Sequence, residues 1–314
     1  MKNYNVLIIG SGFFSQNIYL PILNLLFKKE QIFLYDERAL LKKKTSELFG
    51  YKYLKKFSSV EIKKNNIKIC FLCFERTKSF VYAQKILQAK IHLFAEKPIC
   101  SNYKHLRYLI QLSKKNNVLL DGSFQRLFEN KVLRSKNNSD YSKPYKLDCF
   151  FNSGNFRHNK KTIVRTTEQL NLLKNNKSMD QVSYLIFLNR YWHIINVVNY
   201  LTNFTNLKGN KVKFIKHDLY TFSLEILNHN IQIRIRLSSK KKIGWDEKYI
   251  IMNKKKTTFN LEAPMKFSKN SYNKTTFYLQ IKNFINSIKM LKHERIVSFS
   301  KELKFIESIW KKNV

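Results

Sequence analysis

Glycine, proline and cysteine are scarce in this sequence, whose 314 residues include 7 Gly, 4 Pro and 4 Cys. No run reaches the roughly 18 consecutive apolar residues that a membrane-crossing helix needs, and the N-terminus enters a strand-like run with no signal-peptide pattern. Cys70 and Cys73 lie in the strand-like run IKICFLCF, where their odd spacing directs the two side chains to opposite faces. The cysteines therefore do not indicate a disulfide or a shared metal ion. We expect a cytoplasmic protein without a membrane segment.

Acidic residues are also few: 21 Asp and Glu stand against 59 Lys and Arg, which gives a net charge of +38. Such a charge attracts anionic partners, whether a small substrate or a nucleic acid. The lysines are, however, spread over the whole chain without a basic stripe, and no nucleic-acid-binding motif is present. The abundance of Lys, Asn, Ile, Phe and Tyr is typical of AT-rich coding DNA. A compositional bias therefore explains the charge best, and we expect no nucleic-acid partner.

Two of the few glycines lie one residue apart in VLIIGSGFFSQNIYLPIL. An apolar strand-like run precedes Gly10 and Gly12, and a helical pattern follows from Phe13 and Phe14. In a dinucleotide-binding turn, glycines let the backbone approach the diphosphate, and the amides at the helix start point at it. Ser15, a small residue, stands where the usual G-x-G-x-x-G has its third glycine. We predict that Gly10, Gly12, Phe13 and Phe14 bind a dinucleotide cofactor.

Asp36 ends the next apolar run, IFLY. At this position a carboxylate accepts hydrogen bonds from the hydroxyls of the adenosine ribose. The negative charge repels a 2′-phosphate and so favours NAD. Arg38, two residues further on, keeps NADP as the alternative.

Strand-like and helical segments alternate over residues 1–124, which predicts a doubly wound parallel sheet, the Rossmann fold, as an N-terminal dinucleotide-binding domain. Beyond this point several strand-like runs follow one another, and the clearest, IQIRIRL, alternates apolar and polar residues. We predict that residues 125–314 form an α+β domain with an open, mainly antiparallel sheet. The chain as a whole is thus predicted to belong to the α/β class.

The segment AEKP, residues 95–98, ends another buried strand-like run. Ligands of open parallel sheets lie at the carboxyl ends of the strands, so we predict that Glu96 and Lys97 border the same cleft as the glycine turn and contact the cofactor. An ammonium group there can hydrogen-bond a substrate hydroxyl. Because lysine is common in this chain, a solvated strand end is the alternative interpretation of Lys97.

The order of these segments resembles that of the Gfo/Idh/MocA family of nicotinamide-dependent oxidoreductases. The resemblance rests on the glycine turn, Asp36, AEKP, VLLDGSFQR, WHIINVVNYL and the helical C-terminal segments, and it leaves residues 155–187 unmatched. It implies a Rossmann domain followed by a substrate-binding domain whose open sheet often forms the oligomer interface, and hence a homodimer or homotetramer. It also implies hydride transfer between NAD, or NADP, and a hydroxyl or keto carbon of a sugar, cyclitol or nucleotide-sugar.

The resemblance assigns roles to individual residues. Lys97 matches the family's lysine that bridges the substrate hydroxyl and the nicotinamide, and His193 matches its acid/base histidine. Hydride transfer from an alcohol leaves a proton behind, which an imidazole titrating near neutrality can take. Arg126 matches an arginine after the sixth strand. With Arg76 and Arg190 it is predicted, from charge alone, to hold a phosphate or carboxylate of the substrate.

Several positions depart from the family pattern in the part that contacts the substrate. Asn189 and Asn196 replace two aspartates on either side of His193, and YLIFLN replaces a glycine-rich run. Asparagine keeps the shape and hydrogen bonding of aspartate but lacks the negative charge that orients a histidine. We predict an NAD(P)-dependent oxidoreductase acting on CH–OH groups, with Asn189 in the catalytic group. The alternatives are a cofactor-binding scaffold or sensor without turnover and a nucleic-acid-associated protein.

Overall fold

The fold divides the chain into two compact units that do not follow the chain order. We describe a computed structural model over residues 4–74, 76–137, 145–152, 179–218, 221–229, 231–238, 246–252, 256–262 and 269–313. The first unit contains the described residues up to Ser123 and the later segment Lys269–Ser298. The second contains the described residues from Phe124 to Glu262 and those from Phe299 onward. The first unit is therefore completed by a segment that follows most of the second unit in sequence.

The first unit is built on a parallel sheet of six strands in the order β3-β2-β1-β4-β5-β6. The strands are β1 (Asn5–Ile9), β2 (Ile32–Tyr35), β3 (Lys52–Tyr53), β4 (Ile67–Leu72), β5 (His92–Ala95) and β6 (Leu120–Gly122). The chain fills one side of β1 first and then returns to fill the other, which is the doubly wound arrangement. The predicted Rossmann sheet is confirmed, with its switch point between β1 and β4.

Five of the described helices connect these strands: α1 (Leu20–Leu26), α2 (Ala39–Phe49), α3 (Ser59–Lys64), α4 (Arg76–Gln88) and α5 (Tyr103–Lys115). Helix α6 (Asn130–Asn137) and helix α7 (Met179–Thr202) belong to the second unit, and α8 (Thr276–Ser287) belongs to the first. Helix α9 (Glu294–Asn313) begins in the first unit and continues in the second. Strands β1 and β4 are almost wholly apolar because parallel sheets are buried on both faces. Asn102 caps α5 as its sequence predicts, since its side-chain oxygen accepts from the amide of Lys104 at 2.7 Å. Phe284 of α8 packs on Phe94, with ring centroids 5.3 Å apart, so α8 belongs to the core of the first unit.

The second unit is built on a mixed six-stranded sheet in the order β12-β11-β7-β10-β9-β8. The strands are β7 (Tyr145–Asn152), β8 (Lys211–Lys216), β9 (Phe222–Asn228), β10 (Ile231–Ser238), β11 (Asp246–Met252) and β12 (Lys256–Leu261). Only the β7–β10 pair is parallel among these strand pairs, which confirms the predicted, mainly antiparallel sheet. Helix α7 packs on one face of this sheet, where Phe187 contacts Phe222 with ring centroids 5.1 Å apart.

All four cysteines are free, and Cys70, Cys100 and Cys149 are buried. Burial raises the pKa of the Cys70 thiol well above its ordinary value. None of the helices that the structure describes combines the length and the apolar character needed to cross a membrane.

Candidate functional site

The two glycines of the turn after β1 have different structural reasons to be glycine. Gly10 has a φ of +95°, and a Cβ added there would overlap the carbonyl group of Cys73. The Gly10 amide also donates to the carbonyl of Tyr35 at 2.8 Å, which fixes the turn against β2. A Cβ added at Gly12 would meet no atom within 4 Å. Gly10 is therefore required by the fold, whereas Gly12 leaves open space at the surface of the turn.

The helix after the turn begins at Phe13 and Phe14 and passes through a π turn, Ser15–Tyr19, before α1. The hydroxyl of Ser15 donates to the carbonyl of Gly10. Ser15 is fully buried, so the serine in place of the third glycine ties the turn to its own helix. Anions are stabilised at such a helix start by its backbone amides.

Asp36 accepts a hydrogen bond from the glycine turn and forms an ion pair with Arg38. Its carboxylate accepts from the Ser11 amide at 2.7 Å and from the Arg38 amide at 2.9 Å. The Arg38 guanidinium adds a bidentate ion pair, with Nε at 2.8 Å and Nη2 at 2.7 Å. A carboxylate offers about four lone-pair sites, and here four donors use them. A ribose hydroxyl that bonds Asp36 would therefore have to replace a guanidinium contact.

The AEKP turn follows β5 in the same unit. Glu96 and Lys97 are half-buried, and the Lys97–Pro98 peptide bond is cis. One Glu96 oxygen accepts from the Tyr19 hydroxyl at 2.5 Å and the other from the Lys97 amide at 3.0 Å. Burial raises the pKa of Glu96 above its ordinary value, an effect that the Tyr19 hydrogen bond opposes. The first unit thus contains the predicted cofactor residues and Lys97.

His193 lies on α7 in the second unit and is 8% exposed. The amide nitrogen of Gln125 is 3.3 Å from Nδ1 of His193. If the amide presents its oxygen to this nitrogen instead, Nδ1 carries the proton and Nε2 is the basic nitrogen of the ring. The side chains of Asn189 and Arg190, on the same helix, lie outside the described residues, as does the side chain of Arg76.

Asn196, where the family pattern has an aspartate, bonds a carboxylate on another helix. Glu302 of α9 accepts from Nδ2 of Asn196 at 2.5 Å and from Nδ2 of Asn199 at 2.8 Å. Burial raises the pKa of Glu302 to about 8, so the group is protonated at neutral pH. The sequence did not indicate Glu302, because the contact joins residues more than a hundred positions apart.

Arg126 is 2% exposed and bonds the protein's own carboxylates. Its guanidinium pairs with Glu247 at 2.5 Å and with Glu129 at 3.0 Å, and it also donates to the carbonyl of Glu262 at 2.8 Å. Burial raises the pKa of Glu247, while the charge of Arg126 opposes the shift. In this structure Arg126 joins β11 to the segment after β6. Its role in substrate binding stays a prediction.

A metal site is not apparent: the described His, Cys, Asp and Glu residues form no group of three or more that could hold a metal ion.

Residues 4–123, which contain the glycine turn, Asp36 and Lys97, match the family described as "Oxidoreductase family, NAD-binding Rossmann fold". Residues 4–123 thus match the model of the Gfo/Idh/MocA family. This match confirms the resemblance drawn from the sequence and the expected NAD-binding fold. The family match ends at residue 123, and no curated protein matches the sequence.

Solved structures extend the likeness in fold to the rest of the chain. A dehydrogenase (MviM) from Clostridium difficile superposes with a TM-score of 0.70 at 18% identity, over 98% of this chain and 99% of the other. Scyllo-inositol dehydrogenase from Lactobacillus casei, with bound NAD(H) and scyllo-inositol, gives 0.71 at 14% identity over 99% and 98%. A variant of a 3-ketoreductase from Actinomadura kijaniata, in complex with TDP-benzene and NADP, gives 0.67 at 12% over 98% and 96%. At these identities the likeness shows that both units share the fold of these proteins.

Proposed function

We propose that this protein is a cytoplasmic NAD(P)-dependent oxidoreductase that transfers a hydride between nicotinamide and a hydroxyl or keto carbon of a sugar, cyclitol or nucleotide-sugar. The observation that carries the proposal is the glycine turn, where the fold requires Gly10 and the space at Gly12 is open. A diphosphate approaching that space would meet a helix start, which stabilises anions. The family match and the cofactors of the proteins with the same fold support the choice of cofactor.

The residues of the first unit fit a dinucleotide. Gly12, Phe13 and Phe14 would hold the diphosphate, and Asp36 with Arg38 would meet the adenosine ribose. NAD would draw a ribose hydroxyl to Asp36 in place of a guanidinium contact, whereas the 2′-phosphate of NADP would bond Arg38 itself. We propose NAD as the cofactor, with NADP as the alternative that this ion pair keeps open.

Lys97 and His193 are the proposed catalytic residues. When bound, the nicotinamide supplies the hydride acceptor or donor. Lys97 would hydrogen-bond the substrate oxygen and stabilise negative charge as it develops there. His193 would take the hydroxyl proton at Nε2, with Gln125 accepting from Nδ1. Asn189, Arg76, Arg126 and Arg190 keep their predicted roles as part of this proposal.

A cofactor titration and a substrate screen test the function together. We expect NADH fluorescence to report saturable binding, and a panel of inositol isomers, monosaccharides and nucleotide-sugars to yield a change in the nicotinamide absorbance band. Binding of NADH without turnover of any member would favour the cofactor-binding scaffold. Asn196 is consistent with such a scaffold. It replaces the charged aspartate of the family pattern, and it bonds Glu302, whose raised pKa favours the neutral form. Absence of binding by either NADH or NADPH would contradict both versions.

The outer face of the second sheet is the surface that we propose for a homodimer or homotetramer. This face carries paired opposite charges, including Arg234 with Asp148 at 2.7 Å, next to the exposed apolar side chains of Ile215 and Leu227. Charge pairs and apolar side chains together suit a self-complementary surface. We expect light scattering to give at least twice the chain mass of 37.7 kDa. The double variant Ile215→Lys/Leu227→Lys should reduce it to one chain, and Val60→Lys, at an exposed valine of the first unit, should not. A monomeric wild type would contradict the proposal.

A further inference from the structure

A buried hydrogen-bonded chain links the helix of the glycine turn to Lys97. Tyr19, the last residue of the π turn, is fully buried, and its ring packs on those of Phe71 and Phe94 with centroids 6.1 and 6.2 Å away. Its hydroxyl donates to Oε1 of Glu96 at 2.5 Å, although the two residues are 77 positions apart. Tyr19 therefore places one polar atom inside an aromatic cluster and directs it at the AEKP turn.

The carboxylate of Glu96 connects the Tyr19 hydroxyl to the backbone of Lys97. Its second oxygen, Oε2, accepts from the backbone amide of Lys97 at 3.0 Å, and the side chain also bonds the hydroxyl of Ser123 after β6. A buried carboxylate is stable only when such donors surround it. Glu96 is thus held from three directions: the helix after the glycine turn, the AEKP turn and the end of β6.

The hydroxyl of Tyr19 contributes to this arrangement separately from its ring. A phenylalanine would make the same contacts with Phe71 and Phe94, so packing alone does not need the oxygen. A buried hydroxyl without a partner is unfavourable, and this hydroxyl bonds Glu96 as well as Ser123, which itself bonds Glu96. The π turn adds a residue to the helix turn and shifts the residues that follow it relative to a regular α-helix. This shift sets the direction in which Tyr19 leaves the helix.

We propose that Tyr19 is a positioning residue for Lys97, which it holds through Glu96 in a fixed place relative to the glycine turn. The catalytic role of Lys97 in this inference rests on the proposed function. The contact from Tyr19 through Glu96 to Lys97 does not depend on it. Loss of the Tyr19 hydroxyl should free the Lys97 segment while leaving the glycine turn and the diphosphate contacts unchanged.

The test compares Tyr19→Phe with Phe71→Leu, which loosens the same aromatic cluster without removing the bond to Glu96. The readout that needs no substrate is the rate at which acetic anhydride acetylates Lys97, measured by mass spectrometry and referred to the exposed Lys104. We expect the acetylation rate of Lys97 to increase about threefold or more in Tyr19→Phe, which corresponds to the net contribution of one hydrogen bond to an equilibrium. We expect little change of this rate in Phe71→Leu. Glu96→Ala, which removes the acceptor for the Lys97 amide, should raise the rate as well.

The outcomes separate this inference from the proposed function. Acetylation of Lys97 at the wild-type rate in Tyr19→Phe and Glu96→Ala, or an equal increase in Phe71→Leu, would overturn the positioning role. Failure of the wild type to bind NADH would instead remove the proposed function, and the acetylation rates would still decide the structural claim. Where a substrate is turned over, Tyr19→Phe should lower kcat about tenfold and leave the Kd of NADH within about twofold.

Discussion

Lys97→Ala is expected to lower kcat about a thousandfold while the Kd of NADH stays within about threefold. The ammonium group is proposed to act on the substrate oxygen, where charge develops only as the hydride is transferred. The glycine turn, Asp36 and Arg38, which would hold the cofactor, make their contacts without it. The loss should therefore appear in the chemical step and not in cofactor affinity.

The measurement is steady-state turnover of a substrate found in the screen, together with NADH fluorescence titration of the same protein samples. Lys104→Ala is the matched control, because Lys104 is an exposed lysine of the same unit, and it should keep wild-type kcat. Lys97→Arg keeps the charge but changes its geometry, and we expect only partial recovery. Turnover by Lys97→Ala within about tenfold of the wild type would remove Lys97 from the catalytic residues.

Several acidic residues of this chain are buried, which bears on how its large positive net charge is distributed. Acidic residues are seldom buried unless they are paired. Yet five of those that the structure describes are buried: Asp36, Asp121, Asp148, Glu247 and Glu302. Four of them pair with arginines, and Glu302 bonds two asparagines. Part of the acidic complement is therefore paired with arginines inside the protein's own structure.

The parts of the fold that the sequence predicts are those with a local pattern. The apolar strand before Gly10, the carboxylate after IFLY and the alternation of IQIRIRL each depend on neighbouring residues, and each has the predicted place in the structure. The parallel direction of the strands in the first sheet follows because parallel strands need helical crossovers, which the sequence also shows.

Contacts between distant segments could not be predicted in the same way. Arg126 has the sequence context of a substrate-binding residue, but Glu247, which pairs with it, lies 121 positions away. The segment Lys269–Ser298 belongs to the first unit, although nothing in its own helical pattern distinguishes the sheet it packs on. Tyr19 and Glu96 likewise meet only because β5 ends beside the helix of the glycine turn. A single sequence shows which chemical groups are present but does not show which distant residues they contact.

Gly10→Ala and Gly12→Ala should separate the requirement of the fold from that of the cofactor. Alanine at position 10 must adopt a φ of +95° and place its Cβ on the Cys73 carbonyl, which is backbone and cannot move aside. We expect a loss of about 4 kcal/mol in the free energy of unfolding, combining the cost of the left-handed conformation with that of the overlap. Calorimetry should show this as a Tm lowered by roughly 10 °C.

Alanine at position 12 meets no atom of the protein, so its Tm should stay within about 2 °C of the wild type. Its methyl group would instead occupy the space proposed for the diphosphate, and the Kd of NADH should rise at least about tenfold. Equal Tm values for both variants would contradict the distinction between the two glycines. Wild-type NADH affinity in Gly12→Ala would place the diphosphate away from this turn, because a backbone that approached a phosphate there could not tolerate the added carbon.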